Sequence, residues 1–503
     1  MLQHKFWSFL DNKRFRKLNR YEVWKRIFFI KDCIDTKFEI EYNLSSHREH
    51  RWISDENAKK DNDKNRLPQG ERLDIPYVWA IEYYSSSTII QFVEKIQLLG
   101  ISSAGFGSSL ADTVANYRHH AVIDELCLFS IDRKRHENKR LEIPNGVDRI
   151  EATLVSLTSS LTAVVFGFEI NPSLAGKLQA PLSADYKETV IMGLDTPAKM
   201  VKYLFGIKKY QNACLQIGGP TLGFNLAGNK VLEDMEHTCT DWIAKYLPGE
   251  HKFGETRLPP TALLCVTEND DPYSPLLSKI GAFKLLGFGD SSSIWRFRGC
   301  AAARVVAPIG NNQHRMIIGC RYGAIIEFLG LKRSSTRQSI GAVCNRKLVV
   351  LMAKWGLSCL LDDYYCELSS VRDAIAANNN KGANKAMKEA ERTLLAQIFG
   401  MLSVCKDVDA LPDSYMEDEK KEIHLFQDNP HYPRSFNQEI FSYQRLRSRE
   451  VEMVSNHIEN MFIASTNFSN VISNRRTQKI AIIVALISVL LSFASLTMGY
   501  FMK

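Results

Sequence analysis

The sequence predicts an α+β domain on the cytoplasmic side of a membrane, followed by a helical section, a long stalk helix and one C-terminal transmembrane helix. Short apolar segments alternate with Gly and Pro over much of the chain, the last part lacks helix breakers, and no charged side chain occurs from Ile480 to Met502. The expected organisation is a basic aromatic segment and polar linker (1–72), a mixed α/β soluble domain of one or two subdomains (73–347), a helical hairpin and linker (348–435), the stalk helix (436–479) and the transmembrane helix (480–502).

The N-terminal segment combines positive charge with aromatic side chains. Residues 1–26 contain eight Lys and Arg against two acidic residues, with Phe, Trp and Tyr interleaved. Such a segment is compatible with an amphipathic helix that packs on its own domain, contacts anionic lipid or contacts nucleic acid. Packing on the domain is the interpretation we favour. Residues 46–72 are polar and are expected to form an exposed loop or linker.

The region 73–347 shows the pattern of a mixed sheet with helices. Its apolar runs are short, rich in β-branched and aromatic residues, and bounded by turn residues. Helix 88–99 has apolar residues at helical spacing and ends at Gly100. Further helices are predicted at 196–205 and 231–246. Strands are predicted at residues 77–84, 126–131, 149–157, 161–170, 263–267, 293–297, 302–306 and 316–318.

The region after residue 348 has the composition of helices. Two antiparallel helices are predicted at 348–377 and 381–404, joined by a turn that contains three successive asparagines. A polar linker follows them. Ser435 and Gln438 match a capping box. Because neither Pro nor Gly follows Pro433 before the last few residues, one continuous helix is predicted through stalk and membrane.

The uncharged run 480–502 has the length of a membrane span. At about 1.5 Å per residue it reaches roughly 35 Å, more than the roughly 30 Å of a hydrocarbon core. Arg475, Arg476 and Lys479 precede the run and only Lys503 follows it. The positive-inside rule therefore predicts a single-pass membrane protein with its N-terminal bulk in the cytoplasm. The N-terminus lacks a signal-peptide pattern, and the 11 Cys are scattered, as in a reduced protein.

A stripe of small and uncharged polar residues follows one face of this predicted helix. Its members recur every three or four residues, close to the period of an α-helix. In a membrane such residues mark helix contacts, because they let backbones approach and hydrogen-bond across the contact. We therefore expect self-association, as a dry dimer or as a ring around a pore; a plain anchor with a chance stripe is the alternative. The stripe consists of Asn467, Asn470, Asn474, Thr477, Ala481, Ala485, Ser488, Ser492, Ser495 and Gly499.

The stalk and membrane segment also carries a family resemblance. Within residues 436–502, the run NHIENMFIASTNFSNVISNRRTQKIAIIVALISVLLSFASLTMGYF resembles the stalk-to-membrane helix of CorA-type divalent-cation channels. In that family a long helix with Asn and Thr on its inner face becomes the pore-lining first span. Met498-Gly499-Tyr500 stands where the family has Gly-Met-Asn, and no second span follows. The resemblance therefore implies an architecture, a coiled stalk leading into a pore-lining helix, and not magnesium transport.

A basic cluster precedes the helical section. Arg and Lys side chains interspersed with Ser and Thr hydroxyls suit a phosphate-bearing ligand or an acidic surface. A ligand bound there would act on the helices that follow. A solvated basic loop is the alternative and the interpretation we favour. The cluster comprises Lys332, Arg333, Arg337, Arg346 and Lys347.

Other motifs give little indication of chemistry. The Gly-rich segments 105–109 and 286–293 lack the Lys-Ser/Thr ending of a phosphate loop and are expected to be turns. Glu268, Asp270 and Asp271 follow a predicted strand, where acidic metal ligands occur, but a solvated turn is the favoured interpretation. We find no nucleophile–base motif, zinc-ligand spacing or dinucleotide fingerprint. The sequence therefore predicts no catalytic residues, no metal and no cofactor.

Together these patterns predict a non-enzymatic, single-pass membrane protein whose cytoplasmic domain senses a ligand and controls a pore or membrane-disrupting assembly, as in a bacterial stress or phage-defence response. Expected partners are membrane lipid, further copies of the chain, and a phosphate-bearing ligand or a protein; nucleic acid is not expected. The alternatives are a membrane-tethered scaffold and a tail-anchored enzyme with an unrecognised site.

Overall fold

The computed structural model describes the chain in segments. These are residues 27, 55–86, 88–101, 112–114, 125–134, 140–158, 160–186, 189–192, 215–253, 258–273, 281–288, 294–298, 300–310, 314–332, 337–377, 400–412, 425–427, 434–461, 463 and 478. The basic aromatic segment 1–26, the predicted helix 196–205 and most of the second arm of the predicted hairpin lie outside these residues.

The described residues correct the membrane predictions. None of their helices combines the length and the apolar character needed to cross a bilayer. The longest, Arg337–Ala377, has an apolar buried middle but also carries charged residues, among them Lys354, Asp362 and Asp363. This finding contradicts the predicted architecture with a C-terminal transmembrane helix, and with it the single-pass location and the channel-like interpretation. The predicted span 480–502, its basic flank and the polar stripe lie outside the described residues.

In the described part of the chain, nine strands form one mixed sheet, in the order β11-β8-β9-β10-β7-β1-β4-β3-β2. Neighbouring strands run antiparallel except β7 and β10, which are parallel. Two short strands, β5 and β6, form a separate antiparallel pair. The strands are β1 (Leu73–Ser85), β2 (Glu125–Asp132), β3 (Val147–Ser156), β4 (Leu161–Ile170), β5 (Thr189–Met192), β6 (Leu215–Gly218), β7 (Thr261–Thr267), β8 (Ile294–Phe297), β9 (Cys300–Val306), β10 (Arg315–Arg321) and β11 (Leu425–Gln427).

Helices cover both faces of the sheet. They are α1 (Asp55–Asn65), α2 (Thr88–Leu98), α3 (Pro172–Ala175), α4 (Gln179–Ser183), α5 (Pro220–Tyr246), α6 (Gly281–Lys284), α7 (Tyr322–Leu329), α8 (Arg337–Ala377), α9 (residues 400–409) and α10 (residues 436–461), with short 3-10 turns at Gly176–Leu178 and Glu250–Phe253. The predicted strands coincide with strands of the large sheet. The predicted helix 231–246 is the second half of α5, and the predicted helix 348–377 begins eleven residues earlier, at Arg337.

Strand β1 lies near the centre of the sheet and separates two hydrophobic cores. Its side chains alternate between the faces, as a period of two requires. Tyr77 and Trp79 belong to the core shared with α8, α9 and α10, whereas Val78 and Ala80 belong to the core shared with α2 and α5. Both faces of β1 are therefore buried, which explains its nearly continuous apolar sequence.

Helix α8 is the main cover of the first core. It is apolar on all sides over its middle, which is typical of a buried helix, and it lies close to β1. At Gly341 a Cβ atom would overlap the Tyr77 ring, so only glycine permits this approach. Tyr83 Oη also donates to the Ala353 carbonyl oxygen over 2.8 Å.

Helix α10, the described part of the predicted stalk, packs on α8. Gln444 is fully buried and its Nε2 donates to the Lys354 carbonyl oxygen over 2.7 Å. Arg447 Nε lies 2.7 Å from Asp362 Oδ1. Its guanidinium also lies over the Tyr365 ring, 4.5 Å from the centroid. These contacts join α10 to the core of the domain, so a shift of α8 would change the packing of α10.

Candidate ligand-binding site

A cavity of about 360 Å³ opens at the edge of the sheet where the parallel strands β7 and β10 end. The carboxyl ends of parallel neighbours meet at the same edge, and open α/β sheets commonly bind ligands beyond such ends. The chain passes from β10 directly into α7, and the first residue of α8 reaches the same cavity. The lining residues are Arg72, Asp74, Pro172, Val266, Thr267, Glu268, Tyr322 and Arg337.

One wall of the cavity is a two-pronged ion pair between α8 and β1. Arg337 Nε lies 2.6 Å from Asp74 Oδ2, and its Nη2 lies 2.8 Å from Asp74 Oδ1. Arg337 also donates to the carbonyl oxygens of Ile75 and Ile170. Paired Arg–carboxylate bonds of this kind fix orientation as well as adding energy. The pair and these bonds therefore hold the start of α8 against the start of β1 and the end of β4.

Two further charges stand at the cavity without such a partner. Within the described part of the chain, the side chains of Arg72 and Glu268 make no hydrogen bond or ion pair, and both residues are exposed. They are neighbours across β1 and β7, since the Glu268 N–H donates to the Arg72 carbonyl oxygen over 3.2 Å. The cavity thus offers one cation and one anion to a ligand.

A buried carboxylate, that of Glu71, lies next to these two charged residues. Glu71 is 6% exposed. Its carboxylate accepts from the N–H groups of Glu268 and Asp270 over 2.7 Å each and from Asn269 over 3.2 Å. It also accepts from the Arg72 N–H over 2.9 Å. Glu71 therefore ties the segment before β1 to the loop after β7.

The remaining lining is apolar or already hydrogen-bonded. Pro172, Val266 and the Tyr322 ring give the cavity hydrophobic surface. The Thr267 hydroxyl donates to the Asp270 carbonyl oxygen. An apolar lining with a few placed polar groups is the usual composition of a small-molecule pocket.

A separate polar network lies between α8 and the sheet. Tyr77 Oη donates to Glu151 Oε2 over 3.0 Å, and Asn345 Oδ1 accepts from Trp79 Nε1 over 2.9 Å. Arg149 Nε lies 3.3 Å from a carboxylate oxygen of Glu151. Burial, followed by the charge of Glu151, raises the pKa of Tyr77 well above its ordinary value. The Tyr77, Trp79, Asn345 and Glu151 side chains are joined by hydrogen bonds, whereas Arg149 Nε makes ionic contacts without a hydrogen bond among the described residues. Because Asn345 belongs to α8, these bonds help to position α8 on the sheet.

A second buried group of ionisable residues lies farther along β1. Glu82 is 2% exposed and accepts from the N–H groups of Tyr83 and His251. His251 Nδ1 lies 3.4 Å from Asp363 Oδ2, and His314 Nε2 lies 3.7 Å from Asp363 Oδ1. Burial raises the pKa of Glu82. Burial alone would lower the pKa of His251, but Asp363 and Glu82 outweigh it and the pKa is raised. Among the residues that the structure describes, no group of three His, Cys, Asp or Glu side chains is arranged to hold a metal ion.

The predicted basic cluster is only partly brought together. Arg337 lines the cavity, whereas Arg346 is exposed on α8 and Lys347 is half-buried there. Lys332 is exposed just before α8. Arg333 lies outside the described residues, so its part in a ligand site stays a prediction.

Among the charged lining residues, sequence reasoning missed two and assigned a third to a solvated turn. Arg72 and Asp74 flank the first residue of β1, and only their charge beside an apolar run distinguished them. Glu268 was expected in a solvated turn, yet it lines the cavity. No local signal connects these positions, because they meet only through the pairing of β1 with β7.

No known protein family, curated protein or solved structure matches this chain, so its own residues carry the functional argument.

Proposed function

We propose that this protein is a non-enzymatic ligand-responsive protein that binds a small phosphate-bearing molecule in the cavity at the ends of β7 and β10. The observation that carries the proposal is the meeting of unpaired Arg72 and Glu268 with the first residue of α8 in one cavity. A binding site that includes the start of a long helix connects occupancy with the packing of that helix.

The charges favour a ligand with an anionic group and a hydrogen-bond donor. Arg72 suits a phosphate, since a guanidinium offers several donors in one plane. Helices α7 and α8 also begin at the cavity, and helix N-termini favour negative charge. Glu268 suits an amine or amide donor, and Tyr322 suits a ring. The volume of about 360 Å³ is near the lower end of the range for small-molecule pockets. A mononucleotide meets these conditions and is the natural probe.

The lining residues favour binding over catalysis. In the described lining, the one hydroxyl besides that of Tyr322, that of Thr267, is engaged by a backbone carbonyl oxygen. Of the two lining carboxylates, that of Asp74 is engaged by Arg337 and is not free to act as a general base.

The response would pass through the Arg337–Asp74 pair. A ligand phosphate near Arg72 also attracts Arg337 and competes with Asp74 for it. Because α8 carries α10 through buried contacts, a change at Arg337 alters the packing of both helices. Ligand binding in the cavity would thereby change the packing of α10, away from the site.

The test is calorimetric titration of the full chain with AMP, GMP, CMP, UMP and inorganic phosphate. We expect saturable binding of at least one mononucleotide, weakened about tenfold or more by Arg72→Gln and by Glu268→Gln, which corresponds to at least about 1.4 kcal/mol. Arg298→Gln and Glu94→Gln remove the same charges from exposed positions after β8 and on α2 and serve as matched controls. Absence of binding by the whole panel, or equal binding by Arg72→Gln, would contradict the proposal.

A further inference from the structure

The segment before β1 and the loop after β7 are held together by one side chain. Glu71 accepts hydrogen bonds from three successive N–H groups, those of Glu268, Asn269 and Asp270. A second link runs the other way, since Asn269 Nδ2 donates to the Gly70 carbonyl oxygen over 2.9 Å. Gly70 has a φ of +82°, which suits glycine and lets the chain turn into this contact.

The contact is stronger than an ordinary turn. Successive backbone N–H groups that converge on one point form an anion-binding concavity. A carboxylate in that concavity makes charge-assisted bonds, which are about twice as strong as neutral ones. Because Glu71 is only 6% exposed, water cannot easily take its place. The geometry of the loop therefore depends on the Glu71 charge.

The two unpaired charges of the cavity belong to the residues that Glu71 holds. Arg72 follows Glu71 directly, and its own N–H is one of the donors. Glu268 is the first donor of the loop, so its backbone is fixed while its side chain stays on the cavity side. The Glu71 carboxylate lies in the loop, whereas the next residue, Arg72, lines the cavity.

We infer that Glu71 is the positioning residue of this site: without touching the ligand, it sets the distance between the Arg72 cation and the Glu268 anion and thus the ligand that fits between them. This inference rests on the proposed function. It assigns the selectivity of the cavity to a residue outside its lining.

The test compares Glu71→Ala, Glu71→Gln and the wild-type full chain. In Glu71→Ala the concavity loses its carboxylate, and a small carboxylate from solution can occupy it. We expect mononucleotide affinity to fall tenfold or more and the midpoint of thermal unfolding to drop. Sodium formate should restore both in a saturable manner, whereas sodium chloride at equal ionic strength should not. Glu71→Gln keeps the shape but not the charge. It should fold and still bind weakly, which keeps the test valid if the alanine variant unfolds.

The outcomes separate the inference from the proposed function. Wild-type affinity in both Glu71 variants, or a formate effect equal to that of chloride, overturns the positioning role and leaves the proposed function standing. If the wild type binds no mononucleotide but formate restores the stability of Glu71→Ala, the proposed function is wrong and Glu71 still fixes the loop. Glu94→Ala, which removes an exposed carboxylate from α2, should show no formate effect.

Discussion

Two groups of charged residues lie along the same strand, β1, and differ in their surroundings. At its start, Arg72 is exposed at the cavity and has no side-chain partner among the described residues. Near its end, Glu82 is 2% exposed and is bonded to the N–H groups of Tyr83 and His251. The difference arises because helices bury both faces of β1 near its end, whereas the sheet edge stays open at the start of β1.

The comparison teaches how charge is divided between folding and binding. A buried charge must be paired, because desolvation without a partner costs several kcal/mol. An exposed charge at a cavity keeps its water and can exchange it for a ligand. If this is correct, substitutions in the His251 group should change stability, and substitutions at Arg72 should change binding alone.

The largest effect is expected from removing His251. His251→Ala removes the side chain that lies 3.4 Å from Asp363 and whose charge stabilises that of Glu82, so the free energy of unfolding should fall by about 3–5 kcal/mol. Urea denaturation measures it. His314→Ala is the control, since the His314 side chain is 25% exposed and should cost less. A loss below about 1 kcal/mol for His251→Ala would show that the group is not a paired cluster.

A smaller loss of stability is expected at the Arg337–Asp74 pair. Its side chains are more exposed than that of His251 and less exposed than that of Arg72. Arg337→Gln removes both prongs of the pair and bonds to two carbonyl groups, so we expect a loss of about 2 kcal/mol, as for hydrogen bonds to charged groups. Arg298→Gln should be near neutral. Equal stabilities would mean that Arg337 does not hold α8 to the sheet.

The stability should also depend on pH through the buried group. The pKa values of His251 and Glu82 are raised in the fold, so the folded state binds more protons than the unfolded state. The contribution of His251 is fully present below its ordinary pKa of 6.5 and is lost as pH rises through the higher folded pKa. Each proton changes the free energy of unfolding by at most about 1.4 kcal/mol per pH unit.

Denaturation series between pH 6 and pH 9 test this dependence. The wild type should lose stability as pH rises above 6.5, and His251→Gln should lose less over the same interval. Parallel curves for the two proteins would assign the pH dependence to other groups.

The smallest effect on stability is expected at Arg72. Because its exposed side chain has no partner in the described structure, Arg72→Gln should change the free energy of unfolding by no more than about 0.5 kcal/mol. The same variant should lose ligand affinity. A destabilisation similar to that of Arg337→Gln would remove the distinction between the two ends of β1.

The accuracy of the sequence predictions follows the range of the interactions involved. The strands near β1, β4 and β7 were predicted because β-branched and aromatic runs between turn residues are a local signal. The start of α8 was placed too late, because its first turns mix polar with apolar residues, and its Arg337 and Asn345 are paired with Asp74 and Glu151 of distant strands. The membrane interpretation rested on the apolar run 480–502, its basic flank and the polar stripe, and the described helices contradict it.

The amino-acid sequence by itself determined eight of the nine described strands of the large sheet, helix α2 and the basic cluster that contains Arg337, since these depend on neighbours along the chain. Helix α1 instead forms within residues 46–72, where an exposed loop or linker was expected. Tertiary structure alone decided that β7 and β10 run parallel, and that Arg72, Glu268 and Arg337 meet at their ends. The physical reason is that a pairing of distant strands is selected by burial of both faces of the sheet, which no single segment encodes.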